Sequence, residues 1–236
     1  MRIALIGYGK MGKEIEKIAL QRNHTISHKI TSKNVLELNH LSDTDVAIEF
    51  TKPDEAIENF KSIFKQNIPV VAGTTGWYNQ LSEIKDLAIK TNQSFFYASN
   101  FSVGVNIFFK LNEYLTTLME NQLDYKLSIE EIHHLQKVDA PSGTAISLAE
   151  GILQNSKKFK SWAKEFSENE TIFPIVSKRE ADVSGTHSII YESDIDTIKI
   201  KHVAKNRIGF AQGAVLAAEF LQHKKGVYSM KDLLKF

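Results

Sequence analysis

An α/β fold in two parts is predicted by three features of this 236-residue sequence. Short apolar runs alternate with amphipathic helical segments through residues 3–98, the pattern of buried parallel strands and their crossovers. A glycine cluster, Gly7-Tyr-Gly-Lys-Met-Gly12, follows the first apolar run at once. Beyond residue 104 the pattern changes to period-two strands beside apolar helices. Together these imply an N-terminal Rossmann-type doubly wound parallel sheet with right-handed crossovers, plus a smaller α+β domain with an open mixed/antiparallel sheet. The expected division is 1–103 with 208–236 as a dinucleotide-binding domain, and 104–207 as a substrate-binding and oligomerisation domain.

Ile3-Ala-Leu-Ile6 reads as the first strand, and Ile15, Ile18, Ala19 and Leu20 recur at helical spacing after the glycines. A glycine triplet between a strand and a helix is the setting of a dinucleotide site. The first glycine makes the turn, the second admits a pyrophosphate, and the third lets helix and strand pack. Thr25–Ile30 is the second strand. Such folds often place an acid about twenty residues after the glycines, on the ribose 2′-OH. Here the stretch is His28-Lys-Ile-Thr-Ser-Lys-Asn34, and the first carboxylate is Glu37. Lys29, Ser32 and Lys33 offer partners to a 2′-phosphate, so NADH and NADPH both stay open.

Val46–Phe50 is a buried strand. Thr51-Lys-Pro-Asp54 then turns into a helix with Ala56, Ile57, Phe60, Ile63 and Phe64 on its apolar face. Pro69–Ala72 is a strand ending in Gly73-Thr-Thr-Gly76, Leu81–Lys90 a helix, and Phe95–Ala98 a strand ending in Ser99-Asn-Phe-Ser102. Loops at the carboxyl ends of parallel strands are where open α/β sheets bind ligands. Tyr8, Trp77 and Phe101 lie in or beside these loops, as stacking partners or as core.

Val105–Met119 reads as a helix. Tyr125, Leu127 and Ile129 then alternate with Lys126, Ser128 and Glu130, a half-buried strand. Ala145, Leu148, Ala149, Ile152 and Leu153 recur as on a helix. The stretch between holds His133, His134, Lys137, Asp139 and Pro141-Ser-Gly-Thr144. Pro141 restricts the chain, and Ser142 or Thr144 can cap the helix. The free amides and positive dipole end of a first helical turn suit a carboxylate or phosphate. Lys137 adds a full charge, and histidine is the side chain best suited to give a proton near neutral pH. An anion site with an acid beside it is the expectation. Farther on, Trp162 and Phe166 are the expected anchors of the charged segment 157–169. Thr171–Val176, His187–Glu192 and Thr197–Val203 read as mostly antiparallel strands. Gly209–Leu221 is an apolar helix expected to dock back on the first domain.

Hydrophobic content of 42% and charged content of 24% fit an ordinary globular protein. A net charge of +1 gives no global field toward nucleic acid or membrane. The absence of cysteine excludes disulfides, thiolate zinc and a thiol nucleophile. The apolar run Ile3–Ile6 is too short for a leader or a span, so a cytoplasmic location is expected. A histidine metal site would draw on His133, His134, His187 or His202. Neighbours on an extended segment point apart, however, so no metal is expected.

Four segments, GYGKMG at 7–12, GTTG at 73–76, ASNFSVGVN at 98–106 and EIHHLQKVDAPSGTA at 131–145, together resemble the 4-hydroxy-tetrahydrodipicolinate reductase (dihydrodipicolinate reductase) family of lysine and diaminopimelate synthesis. The run from Arg207 through Gly213-Ala214 to Gly226-Val-Tyr-Ser-Met230 resembles it too, so nearly the whole chain is covered. The resemblance implies reduction of 4-hydroxy-tetrahydrodipicolinate, a small cyclic dicarboxylate, by NADH or NADPH in a homotetramer. It places the cofactor on Gly7, Tyr8, Gly9, Lys10, Met11, Gly12, Gly73, Thr74, Thr75, Ala98, Ser99, Asn100 and Phe101. His133 would be the proton donor or acceptor, Lys137 a second donor or cation, His134 a substrate contact, and Gly143 and Thr144 the amides that hold a substrate carboxylate. Domain closure would hinge near Ser102 and Arg207. The chain departs from the family at the end of the second strand, where Thr31 and Ser32 replace an acid, and loosely over 178–187. Two competing readings are another nicotinamide-dependent imine or amino-acid dehydrogenase, and a non-catalytic dinucleotide sensor.

Overall fold

Strands that are apolar on both sides need cover on both faces, and helices supply it here. In the computed structural model, which describes residues 1–236, the chain divides into two units: Met1–Val103 with Ile208–Phe236, and Gly104–Arg207.

The first unit runs β1 (Arg2–Ile6), α1 (Lys10–Gln21), β2 (Thr25–Ile30), β3 (Val46–Glu49), α2 (Pro53–Phe64), β4 (Val70–Ala72), α3 (Leu81–Lys90) and β5 (Ser94–Tyr97). The second contains α4 (Val103–Met119, from its second residue), β6 (Lys126–His133), α5 (Gly143–Asn155), β7 (Ser161–Ala163), β8 (Ile172–Arg179), β9 (Gly185–Glu192) and β10 (Thr197–Ala204). The chain then returns to the first unit as α6 (Ile208–Leu221), β11 (Gly226–Tyr228) and α7 (Met230–Leu234).

The first sheet is wholly parallel, in the order β11-β5-β4-β3-β1-β2. Alternate residues feed opposite cores, as the pleat requires. Ala4, Ala47, Val70 and Phe95 meet Phe60, Ile63 and Ile84 of α2 and α3 on one face. Leu5, Ile48, Val71 and Phe96 meet Ile15 of α1 and Ala214 and Ala218 of α6 on the other. Trp77 and Phe101 are both core residues, 2% exposed, so neither ring is open to a ligand. The edge strand β11 was not legible in the sequence: three residues carry too little pattern to separate from a turn.

The second sheet runs β10-β9-β6-β8-β7. It is mixed rather than mostly antiparallel: β6 pairs β9 antiparallel and β8 parallel, and β7 joins β8 parallel. One face carries Leu127, Ile129, Phe173, Ile175, Ile189 and Tyr191 against Phe108 of α4 and Ala145, Leu148 and Ile152 of α5. Trp162 packs on that core from β7, whereas Phe166 is 79% exposed and anchors nothing.

Candidate active site

In the first unit the β1–α1 turn, the end of β2 and the β3–α2 turn border a cleft of about 610 Å³, lined by Gly7, Tyr8, Gly9, Thr31, Ser32 and Lys52 among others. Gly7 sits at φ +93°, and a Cβ there would lie 2.0 Å from the Phe50 carbonyl oxygen, so only glycine serves. Lys10, Met11 and Gly12 form the first turn of α1, whose unpaired amides suit a phosphate. Gly73, Thr74 and Thr75 follow β4, and Ala98, Ser99, Asn100 and Phe101 follow β5. Thr74 is buried: its hydroxyl donates to Glu49 at 3.0 Å and accepts from the Thr51 amide at 2.7 Å. It therefore ties two loops together, and Phe101 serves as packing beneath them.

At the end of β2 the Thr31 amide and hydroxyl both donate to Asn34 Oδ1, at 2.8 and 2.9 Å, and Asn34 donates to Glu37 at 2.9 Å. No carboxylate lines the cleft there except Glu55. Lys29 pairs with Glu16 at 2.6 Å and lies over the Tyr8 ring, so it is committed elsewhere; Ser32 lines the cleft. The cleft, its glycine turn and its helix start fit a nicotinamide dinucleotide.

Sheet register builds the second site. The alternation that buries Leu127 and Ile129 continues to Glu131 and His133, so β6 runs through the first histidine and the loop begins at His134. Glu131 stands opposite His187 of β9 and Ser177 of β8, and His133 stands opposite Arg179. Directly opposed residues share a face, so a polar row crosses the sheet where its apolar core ends. His202 of β10 extends that row beside His187. Helix α5 starts over it. The Ser142 amide donates to both Glu131 oxygens at 3.1 Å, Ser142 Oγ lies 3.1 Å from His187 Nε2, and Oγ accepts the Ala145 amide at 3.2 Å as the helix cap. Gly143 and Thr144 occupy the first turn, where amides have no intrahelical acceptor.

His133 is 7% exposed, with Nδ1 3.5 Å from Glu131 Oε2 and in no hydrogen bond. His134 is half-buried in the loop after it. Lys137 is partly buried, its ammonium held by Asp139 at 2.7 and 2.8 Å. Arg179 straps this loop by donating to the carbonyls of Lys137 at 3.2 Å and Asp139 at 2.7 Å.

Burial alone would push Glu131 up, but donors from His187, Ser142 and Ser177 outweigh it and hold the carboxyl at about 2. Burial, then the neighbouring His187, lowers His133 to about 4; Lys137 and Arg179 add to the fall and Glu131 opposes it. The imidazole is thus neutral near pH 7 until negative charge arrives beside it.

Glu131, His133 and His187 offer donor atoms within 4.8 Å of one another, a possible metal set. The chemistry of the donors argues against one. Glu131 already accepts three hydrogen bonds, and the Arg179 guanidinium stands 3.7 Å from it. A cation would have to displace that order and face Arg179 and Lys137.

The second unit gathers His133, His134, Lys137, Gly143 and Thr144, the residues expected from the sequence, at one end of its sheet. The work of Glu131, Ser177 and His187 was not read from the sequence. The signal was present: period two, carried two steps past Ile129, puts Glu131 and His133 on the core face.

A glycine-turn dinucleotide unit joined to a unit with a buried histidine and a capped, anion-ready helix start defines an NAD(P)H-dependent oxidoreductase. Comparison with known proteins narrows this. Residues 1–101 match the family profile for the N-terminus of dihydrodipicolinate reductase, and residues 104–234 match that for its C-terminus. A 4-hydroxy-tetrahydrodipicolinate reductase of Christiangramia forsetii is 50% identical, covering 99% of this chain and 98% of the relative. One from Rickettsia bellii is 38% identical, covering 96% and 91%. The solved structure of a dipicolinate-bound dihydrodipicolinate reductase from Paenisporosarcina sp. TG-14 shares the fold, with a TM-score of 0.76 at 24% identity over 98% of each chain. The chain belongs to the dihydrodipicolinate reductase family.

Proposed function

We propose that the chain reduces 4-hydroxy-tetrahydrodipicolinate to tetrahydrodipicolinate with NADH or NADPH, in lysine and diaminopimelate biosynthesis. Beyond family membership, the observation that carries this reading is the single carboxylate, Glu131, that touches both the α5 cap and the histidine row. It brings an anion-binding helix start and a proton donor into one small space.

When bound, the nicotinamide supplies the hydride. The β1–α1 turn, residues 73–75 and residues 98–101 would hold it. The Gly143 and Thr144 amides, with Lys137 freed from Asp139, would take one ring carboxylate and fix the ring. His134, next to the acid, would contact the same ring. Loss of the ring hydroxyl as water leaves a conjugated, electron-poor ring, and His133 gives the proton that balances the hydride added to it. The dicarboxylate itself raises the proton affinity of His133, because its charge enters a buried site. The acid is therefore loaded by its own substrate.

No helix is long and apolar enough to cross a membrane, and we place the enzyme in the cytoplasm. The outer strand β10 leaves Ile198 and Val203 37% and 54% exposed, which supports self-association, and a homotetramer is the state we propose. Light scattering on the purified chain tests that: a monomer at micromolar concentration would rule it out. The activity itself is tested by supplying enzymatically made hydroxytetrahydrodipicolinate and following oxidation of NADH and NADPH in parallel. Turnover of either supports the reading; turnover of neither, with both cofactors bound, would favour a dinucleotide sensor.

A further inference from the structure

Three independent features converge on the His133 ring. Nδ1 is buried, forms no hydrogen bond and faces Glu131 Oε2 at 3.5 Å. On the other edge of the ring, Gly185 of β9 leaves the space that a side chain would fill: a Cβ there would lie 3.2 Å from Nε2. Glu131 itself is immobilised, 0% exposed, by the Ser142 amide and the Ser177 hydroxyl at 2.7 Å. We propose that Glu131 is a positioning residue for the reduction: it fixes the His133 tautomer with the proton on Nδ1 and so leaves Nε2 as the atom that exchanges protons with substrate. This rests on the role given to His133 above.

The physical argument is one of sign. A bare Nδ1 would aim a lone pair at a carboxylate, a repulsion that burial magnifies. A protonated Nδ1 turns the same approach into an attraction, and slight tightening makes it a hydrogen bond. Fixing one ring nitrogen by a carboxylate partner settles which nitrogen does the chemistry. Because the same carboxylate holds the Ser142 amide, the proton donor and the start of α5 are set by one group.

Four groups face His133: Glu131 on its own strand, His187 on β9, Arg179 on β8 and Lys137 in the loop. Only Glu131 favours the imidazolium. Replacing it by the neutral isostere Gln leaves neighbours that all disfavour it, so the protonated state retreats to lower pH.

Two measurements test this. In the unmodified protein, nitrogen-15 spectra of the histidine rings at neutral pH are expected to show His133 protonated at Nδ1 and bare at Nε2; a proton on Nε2 would overturn the proposal whatever any variant does. In Glu131→Gln, kcat is expected to fall about 10- to 100-fold, the alkaline limb of the kcat profile to move to lower pH, and NADPH affinity to stay within about twofold. An unmoved limb in a folded variant would reduce Glu131 to a structural role. His133→Gln is measured alongside: if it keeps wild-type turnover, the assignment of His133 as acid fails, whereas loss in His133→Gln with an unmoved limb in Glu131→Gln sinks this inference alone.

Discussion

Two buried carboxylates stand near the carboxyl ends of strands, one in each unit, and they titrate in opposite directions. Glu49 ends β3 and is held by hydroxyls: Thr74 donates at 3.0 Å, the Thr51 hydroxyl donates as well, and the Thr51 amide adds a bond at 3.1 Å. One oxygen, Oε2, is left with no partner, and burial raises the proton affinity of the group. Glu131 is also 0% exposed, but His187 beside it, the Ser142 amide at both oxygens and the Ser177 hydroxyl outweigh burial and hold it at about 2. Two carboxylates with no exposed surface thus shift in opposite directions: burial wins at Glu49, and the surrounding donors win at Glu131. Glu49 ties two loops of the first unit and needs no charge for it. Glu131 stays ionised, as the orienting role proposed for it requires.

His133→Gln should lower kcat by about 10²- to 10⁴-fold with NADPH affinity unchanged by fluorescence titration; equal loss of both would mean misfolding rather than a missing acid. Lys137→Ala should cost about 10- to 100-fold in kcat/KM for the dicarboxylate and leave cofactor binding intact, since its ammonium sits in the second unit beside Asp139.

Stability sharpens the contrast further. Glu131→Gln should destabilise by about 1–3 kcal/mol near neutral pH. Its lowered folded pKa means that the wild-type advantage is present above the unfolded value and is lost as pH falls from about 4.5 toward about 2. His133, also lowered, adds acid sensitivity between about 6.5 and about 4. Glu49→Gln should do the reverse. The raised group stabilises below its unfolded pKa and loses that contribution as pH rises through the folded value, so the Gln variant should gain roughly 1 kcal/mol near neutral pH and match wild type in acid. Melting curves of both variants across the range check this; parallel shifts would erase the distinction drawn here.

The sequence made the first unit legible because its signals are local. Gly7 to Gly12, the apolar strands and the helix over 81–90 are each read within a short window, and the boundaries of β2 and α3 coincide with those in the structure. The second site is half local. The capped helix start was visible in Pro141-Ser-Gly-Thr144. The company of Glu131 was not, because Ser177 and His187 lie 46 and 56 positions away in sequence and meet it only through strand register. Phe166 misled for a related reason: an aromatic in a charged segment resembles an anchor until the fold shows nothing beside it. Lys29, offered to a 2′-phosphate, is held by Glu16 from the facing helix α1, a contact that no spacing rule foretells.

On the proposed mechanism, the acid and the carboxylate-holding amides serve one ring at the end of β6. Amide and histidine-ring resonances of the labelled protein, titrated with pyridine-2,6-dicarboxylate in the presence of reduced cofactor, test it most directly. Coincident saturable shifts at His133, Gly143 and Thr144 are the predicted result. Saturable binding that leaves those three unmoved would contradict it.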